Sequence, residues 1–178
     1  VLPLSPSAKR ERISMSHALI RGAQDLSLVE KRILSKGLAK INPMAKLATL
    51  NKQRKVVFSI NDYAAQYGLS YESASKQIYD SVALLWNRTV TFNVADVLGG
   101  LTNGREWVRW VDSVEHIPNK GLIQINIAMT MLEHLTQFSE KKPFVPVQLI
   151  QSQGIRSVDT WRLMELLTAH IVRGKCEY

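Results

Sequence analysis

The stretch from Phe58 to Leu85, FSINDYAAQYGLSYESASKQIYDSVALL, constrains this chain more than any other. Ser59 is placed to cap a first short helix on which Tyr63, Ala64 and Tyr67 fall together, and Gly68-Leu69-Ser70 supplies a tight turn followed by a second N-cap. A longer helix follows. Two helices joined by a short turn containing glycine make a helix-turn-helix, with a small residue, here Ala64, where the helices cross closely. Leu69 and Ala74 close the small core between them. One position departs from the regular pattern. Where an apolar residue is due late in the motif the chain has Gln77, with Ile78 one place on, which leaves the phase of the second helix open. A helical hairpin that reads no DNA can share an alanine and a turn glycine, so the motif needs support from elsewhere in the chain.

Charge is the first support. The 178 residues carry 23 Lys and Arg against 15 Asp and Glu, a net charge of +8 that suits a polyanionic partner, although ribosomal and membrane-surface proteins share it. Hydrophobic content of 46% with 21% charged residues is that of a globular chain, long enough for one substantial domain or for a small domain and part of another. No run approaches the roughly 18 apolar residues of a membrane span, and no basic-then-apolar signal opens the sequence, which predicts a cytoplasmic protein without a membrane partner. The single cysteine, Cys176, leaves no partner for an internal disulfide and no multi-cysteine zinc site.

Order along the chain is the second. Val1 to Ser16, with Pro3, Pro6 and the cluster Lys9-Arg10-Glu11-Arg12, reads as an extended arm, its charges solvated or touching phosphate. Ser27-Leu28-Val29-Glu30 is a capping box, and Val29, Ile33, Leu34, Leu38 and Ile41 keep helical spacing up to Asn42-Pro43. Lys31, Arg32, Lys36 and Lys40 fall on the expected wet side of that helix. Met44 to Lys55 reads as a connector, Val56 to Ile60 as a brief strand into the motif, and Thr89 to Phe92 as a strand after it. Asn93 to Leu101 is ambiguous, and Asn103-Gly104 signals a turn. Trp107–His116 and Leu122–Ile127 then flank Ile117-Pro118-Asn119-Lys120-Gly121 as a hairpin, with Ile123, Ile125 and Ile127 on the buried face.

The order helix, strand, helix, helix, β-ribbon is that of a winged helix, an α+β fold in which a small antiparallel β-ribbon packs beside the recognition helix. On this reading Lys120 at the loop and Arg105 and Arg109 on the ribbon are placed to meet phosphates. Thr130 to Phe138 resumes helical spacing, Lys141 to Pro146 is a proline-bounded loop, and Val158, Trp161, Leu163, Leu166, Leu167 and Ile171 form a second amphipathic helix ending at Arg173-Gly174.

Nothing in the chain forms a convincing catalytic constellation. His17, His116, His134 and His170 lack metal-ligand spacing, Gly99-Gly100 lacks the lysine of a phosphate loop, and no cofactor is expected. Trp86, Trp107, Trp110 and Trp161 each sit in an apolar pattern, which predicts core packing rather than stacking on unpaired bases. The chain is read as a non-enzyme.

The segments SHALIRGAQDLSLVEKRILSKGLAKINP, FSINDYAAQYGLSYESASKQIYDSVALLWNRTVTF, LIQINIA and QFSEKKPFVPVQLIQSQGIRSVDTWRLMELL, in that order, resemble the plasmid replication initiators that bind iterons. The resemblance runs from Ser16 to Gly174 and rests on the ordered series rather than on one motif; Ala95–Arg105 and Phe138–Ile150 fit it least. It implies a protein with two winged-helix domains that binds repeated origin sequences, opens adjacent AT-rich DNA and recruits a host initiator and the replicative helicase. Dimers of such proteins repress their own promoter, monomers bind iterons, and the first winged helix contributes to the homodimer. The chain is accordingly divided into an arm, 1–15, a first winged-helix domain, 16–150, and a linker with the opening helix of a second domain, 151–178, the rest of which is expected beyond Tyr178.

A recognition helix entering the major groove N-terminus first makes Ser70, Tyr71, Glu72, Ser73, Lys76 and Gln77 the candidates to face double-stranded DNA, with Arg88, Arg105, Arg109 and Lys120 anchoring its backbone. Two other readings share the pattern. A winged-helix transcriptional regulator or partition protein would bind one operator; a winged helix used for protein contacts alone would leave the face around Lys76 uninvolved.

Overall fold

Serine side chains start several of the helices. In the computed structural model, which describes residues 12–42, 44–45, 47–93, 104–135, 144–148 and 154–173, Ser27 Oγ accepts from Glu30 N at 3.3 Å while Glu30 accepts from Ser27 N at 2.6 Å, completing the capping box of helix α2 (Leu28–Leu38). Ser59 caps α4 (Ile60–Tyr67) through Asp62 N, and Ser70 caps α5 (Tyr71–Leu85) through Ser73 N. Each such bond satisfies a helix-end donor that would otherwise face water, a contribution of about 1 kcal/mol. Between α4 and α5, Gly68 takes the left-handed conformation (φ 64°) and Leu69 N donates back to Ala64 O at 2.9 Å. That is why the turn is glycine.

The other elements are β1 (Arg12–Ser16), α1 (His17–Arg21), β2 (Ala23–Gln24), α3 (Leu47–Gln53), β3 (Lys55–Ser59), β4 (Thr89–Asn93), β5 (Arg105–Arg109), β6 (Val111–Ile117), β7 (Leu122–Ile127), α6 (Met129–Leu135), β8 (Phe144–Gln148) and α7 (Val158–Arg173). Among the described residues three antiparallel sheets hold the strands: β3-β7-β6, β2-β4-β5 and the pair β1-β8. The first carries the wing. Ile123, Ile125 and Ile127 all point into the core, as the alternation predicts, where they meet Val56 and Phe58 of β3 and the apolar sides of α2, α4 and α5. Helix α2 approaches β7 so closely that a Cβ on Gly37 would stand 2.7 Å from Ile125 Cδ1. The α+β winged helix is therefore present, with α2, α4 and α5 as its helices and the β6-β7 hairpin as its ribbon.

Several elements differ from expectation, each for a local reason. The expected single strand Trp107–His116 is broken at Trp110, whose indole is buried and whose backbone donates to Arg88 O and accepts from Ala128 N. The chain changes sheets there, so β5 pairs with β4 while β6 alone forms the wing with β7. The arm does not extend to residue 15, because Arg12–Ser16 pairs with Phe144–Gln148 and buries Ile13 and Met15. That pairing also replaces the loop expected up to Pro146, a strand proline tolerated in a two-stranded ladder where both strands are edges. Leu47–Gln53 is a helix within the expected connector.

The wet side assigned to the helix is corrected at Lys31 and Arg32, while Lys40 is exposed as expected. Lys31 lies buried against Glu165 of α7 at 2.9 Å, and Arg32 reaches the backbone of Ile155 at 3.0 Å while its guanidinium stacks on Tyr67. Trp161 of α7 is buried, and Arg162 donates to Ile20 O and to Glu165. The helix assigned to a second domain thus packs on the first. The arm residues 1–11, Asn103, Phe138, Gly174 and Cys176 lie outside the described residues.

Candidate nucleic-acid interface

The N-terminal half of α5 and the wing tip form one surface. Ala74 and Ile78 turn inward, and that rotation leaves Ser70, Tyr71, Glu72, Ser73 and Lys76 exposed on the opposite side. The start of α5 also carries the positive end of the helix dipole, the polarity that suits a phosphate. Beside it, β6 and β7 join through a 3-10 turn, Pro118–Lys120, and Gly121 (φ 58°). Ile60 N donates to Gly121 O at 2.9 Å, and a Cβ on Gly121 would lie 3.2 Å from Tyr71 Oη, so the tip leans on the first residue of α5. Lys120 is exposed there. One face therefore presents hydroxyls, a carboxylate and two ammonium groups on a rigid helix and its flanking hairpin.

The other expected residues are placed differently. Gln77 is half-buried, and its carboxamide oxygen is enclosed without a hydrogen-bond partner among the described residues, so it does not share the open face of Lys76. Arg88 follows α5 but turns back to α2, with Nε 2.8 Å from the buried Glu30 carboxylate and Nη1 3.0 Å from Asp25. The hydrogen bond that Arg88 Nε donates to the Glu30 carboxylate raises the Arg88 pKa above its usual range. Its guanidinium serves the capping box rather than a free surface. Arg105 and Arg109 are exposed, but on β5 in the second sheet rather than on the wing.

Two residues of this surface escaped the sequence reading. Tyr79, 64% exposed on α5, meets His116 of the wing strand edge-on at 5.9 Å between ring centres. Tyr79 stands one helical turn after Lys76 on the outward side, a spacing that could have marked it; nothing in the sequence near His116 points to Tyr79. The tryptophans also divide: Trp110 and Trp161 are buried as expected, whereas Trp86 and Trp107 are exposed. Among the described residues no group of His, Cys, Asp or Glu could hold a metal ion, and no helix is long and apolar enough to cross a membrane.

No curated protein matches the chain. Among solved structures, the Pi initiator protein in complex with iteron DNA superposes with a TM-score of 0.73 at 19% identity, over 91% of this chain and 65% of that one. The likeness is one of fold, and the chain spans less than two thirds of that protein's length. The WH1 domain of MSBI1.176, a replication protein isolated from a multiple sclerosis patient, aligns at 15% identity over 84% of this chain and 89% of that one, with a TM-score of 0.43. The family model for the initiator replication protein, WH1, matches residues 12–168, from β1 through most of α7. With the winged helix, its flanking strands and most of the packed helix α7 inside that span, the chain belongs to the WH1 family of initiator replication proteins.

Proposed function

We propose that this chain is the DNA-binding part of a non-enzymatic plasmid replication initiator, which reads repeated origin sequences through the N-terminal half of α5 and steadies the duplex with the wing. The observation that carries the reading is the joint exposure of Ser70, Tyr71, Glu72, Ser73 and Lys76 beside a wing tip braced on Tyr71. A helix presented N-terminus first fits the major groove, and a lysine-tipped hairpin one strand away reaches the adjacent backbone. Family membership and the Pi initiator's iteron complex support the choice of origin repeats over a single operator. Membership also supports a cytoplasmic protein whose homodimer represses its own promoter, and which engages host initiator and helicase. Contacts to protein alone would leave Lys76 without a role.

The test is fluorescence anisotropy with a duplex selected for binding from the parent replicon. Lys76→Ala should weaken binding with the fold intact, by about 5- to 100-fold if the ammonium reads a base edge. Unchanged affinity would remove α5 from the interface. Lys120→Ala should instead weaken binding to all sequences alike and make the dependence of log affinity on log salt shallower by about one unit. A change in sequence preference with the salt slope intact would place Lys120 at a base rather than a phosphate.

A further inference from the structure

The outer face of the β2-β4-β5 sheet is built unlike an ordinary solvated surface. Val90, Phe92 and Val108 point inward, and the register pairs the residues between them on the opposite face: Asn93 with Arg105, Thr91 with Trp107, Thr89 with Arg109. The sheet therefore displays Arg105, Trp107 and Arg109 in a row, with the Trp107 indole 65% exposed between two arginines. Neither arginine takes part in an ion pair among the described residues. The Arg109 guanidinium lies 5.3 Å from the ring centre of a second exposed tryptophan, Trp86, just past α5. On the other side an open groove of about 630 Å³ is lined by Arg21, Thr91, Asn93, Arg105 and Trp107.

A tryptophan left in water costs free energy that a core position would recover, so its exposure calls for a partner with a flat apolar face. The flanking arginines require that partner to be anionic. Bases of a duplex keep their π-faces stacked inside, out of reach of this indole. Bases of a single strand offer a free face each, with a phosphate on either side. Arg105 and Arg109 stand about 13 Å apart along the extended strand, enough to straddle a stacked base and its neighbouring phosphates.

We infer that this sheet face is a binding site for unpaired DNA, in which a base stacks on Trp107 and the flanking phosphates meet Arg105 and Arg109. The site lies on a different sheet from the wing and on a different element from the recognition helix. It goes beyond the proposed reading of duplex repeats: a chain that holds duplex repeats on one surface can hold a separated strand on the other.

The two surfaces are tested against each other by anisotropy, with an oligothymidylate of about 15 nucleotides and the selected duplex as separate probes. Trp107→Ala should weaken oligothymidylate binding about tenfold or more and leave duplex affinity unchanged; Trp107→Phe should restore most of the loss. Lys76→Ala should do the reverse. Arg105→Gln with Arg109→Gln should lower the salt slope for the oligothymidylate by about 1.4. The inference is overturned if Trp107→Ala leaves strand binding intact, or weakens both probes equally. It is also overturned if Trp107→Ala instead shifts the sedimentation coefficient towards monomer, since the face would then be covered by a second copy. Strand binding that persists while the wild-type chain binds no duplex would sink the origin-repeat reading and leave this site standing.

Discussion

Replacing Glu165 with alanine is expected to destabilise the fold by about 3–5 kcal/mol, because it removes the anion that, among the described residues, balances a buried cluster of charges. Lys31 and Glu165 are 4% and 5% exposed, with Nζ to carboxylate distances of 2.9 and 3.0 Å, and Arg162 donates to the same carboxylate at 2.8 Å. Without it the Lys31 ammonium keeps Gln24 Oε1, at 3.2 Å, as its acceptor among the described residues, which cannot offset desolvation. Burial already lowers the Lys31 pKa below 10.5, with Glu165 acting in the opposite direction, so losing Glu165 lowers it further. A base whose pKa is lower in the folded state binds fewer protons there than in the unfolded state. The penalty in Glu165→Ala should therefore shrink as pH rises from neutrality towards 10.5. Replacing Lys31 and Glu165 together by methionine should cost much less than the single change, since no buried ammonium is left stranded and the partly exposed Arg162 keeps the carbonyls of Ile20 and Gly22 as acceptors. Urea unfolding midpoints measure all three; a double variant no more stable than the single one would show that the pair does not act as a unit.

That cluster marks where the sequence stopped being informative. The capping serines, the Gly68 turn and the alternating isoleucines of β7 were legible because each depends on neighbours within a few residues, and each stands as read. Lys31 was assigned to water because its own helix gives no reason to bury it; the reason is Glu165, 134 residues on. Arg88 reads as a free cation beside the recognition helix until Glu30 and Asp25 are brought to it by the packing of α2 on α5. The break at Trp110 hides for a related reason. Trp107 to His116 carries β-forming residues along its length with no glycine or proline to mark a break, and only the switch of hydrogen-bonding partners from β4 to β7 divides it. Of the expected interface, the exposed first turn of α5 and Lys120 follow from local pattern. The exposure of Trp107 does not, since an indole in an apolar run is indistinguishable by sequence from one in a core.

Ile78→Ala should cost about 2–5 kcal/mol, and it decides the phase of α5 that the sequence leaves open. The inward residues of α5 are Ala74, Ile78, Ser81 and Leu85, spaced by four, three and four, and Ile78 is wholly enclosed by the common core. Truncating it removes three carbons from a packed site and leaves a cavity that the neighbouring helices fill only in part. Gln77→Ala should behave oppositely: it deletes an enclosed acceptor that has no partner among the described residues, so the lost packing is offset and stability should change by less than about 1 kcal/mol. Lys76→Ala, on the exposed side, should fall within about 0.5 kcal/mol of the parent. Thermal melts followed by circular dichroism rank the three. A costly Gln77→Ala with a tolerated Ile78→Ala would mean that α5 is turned by one residue, about 100° of helix. That rotation would carry Lys76 off the surface beside the wing, and with it the proposed contact to the major groove.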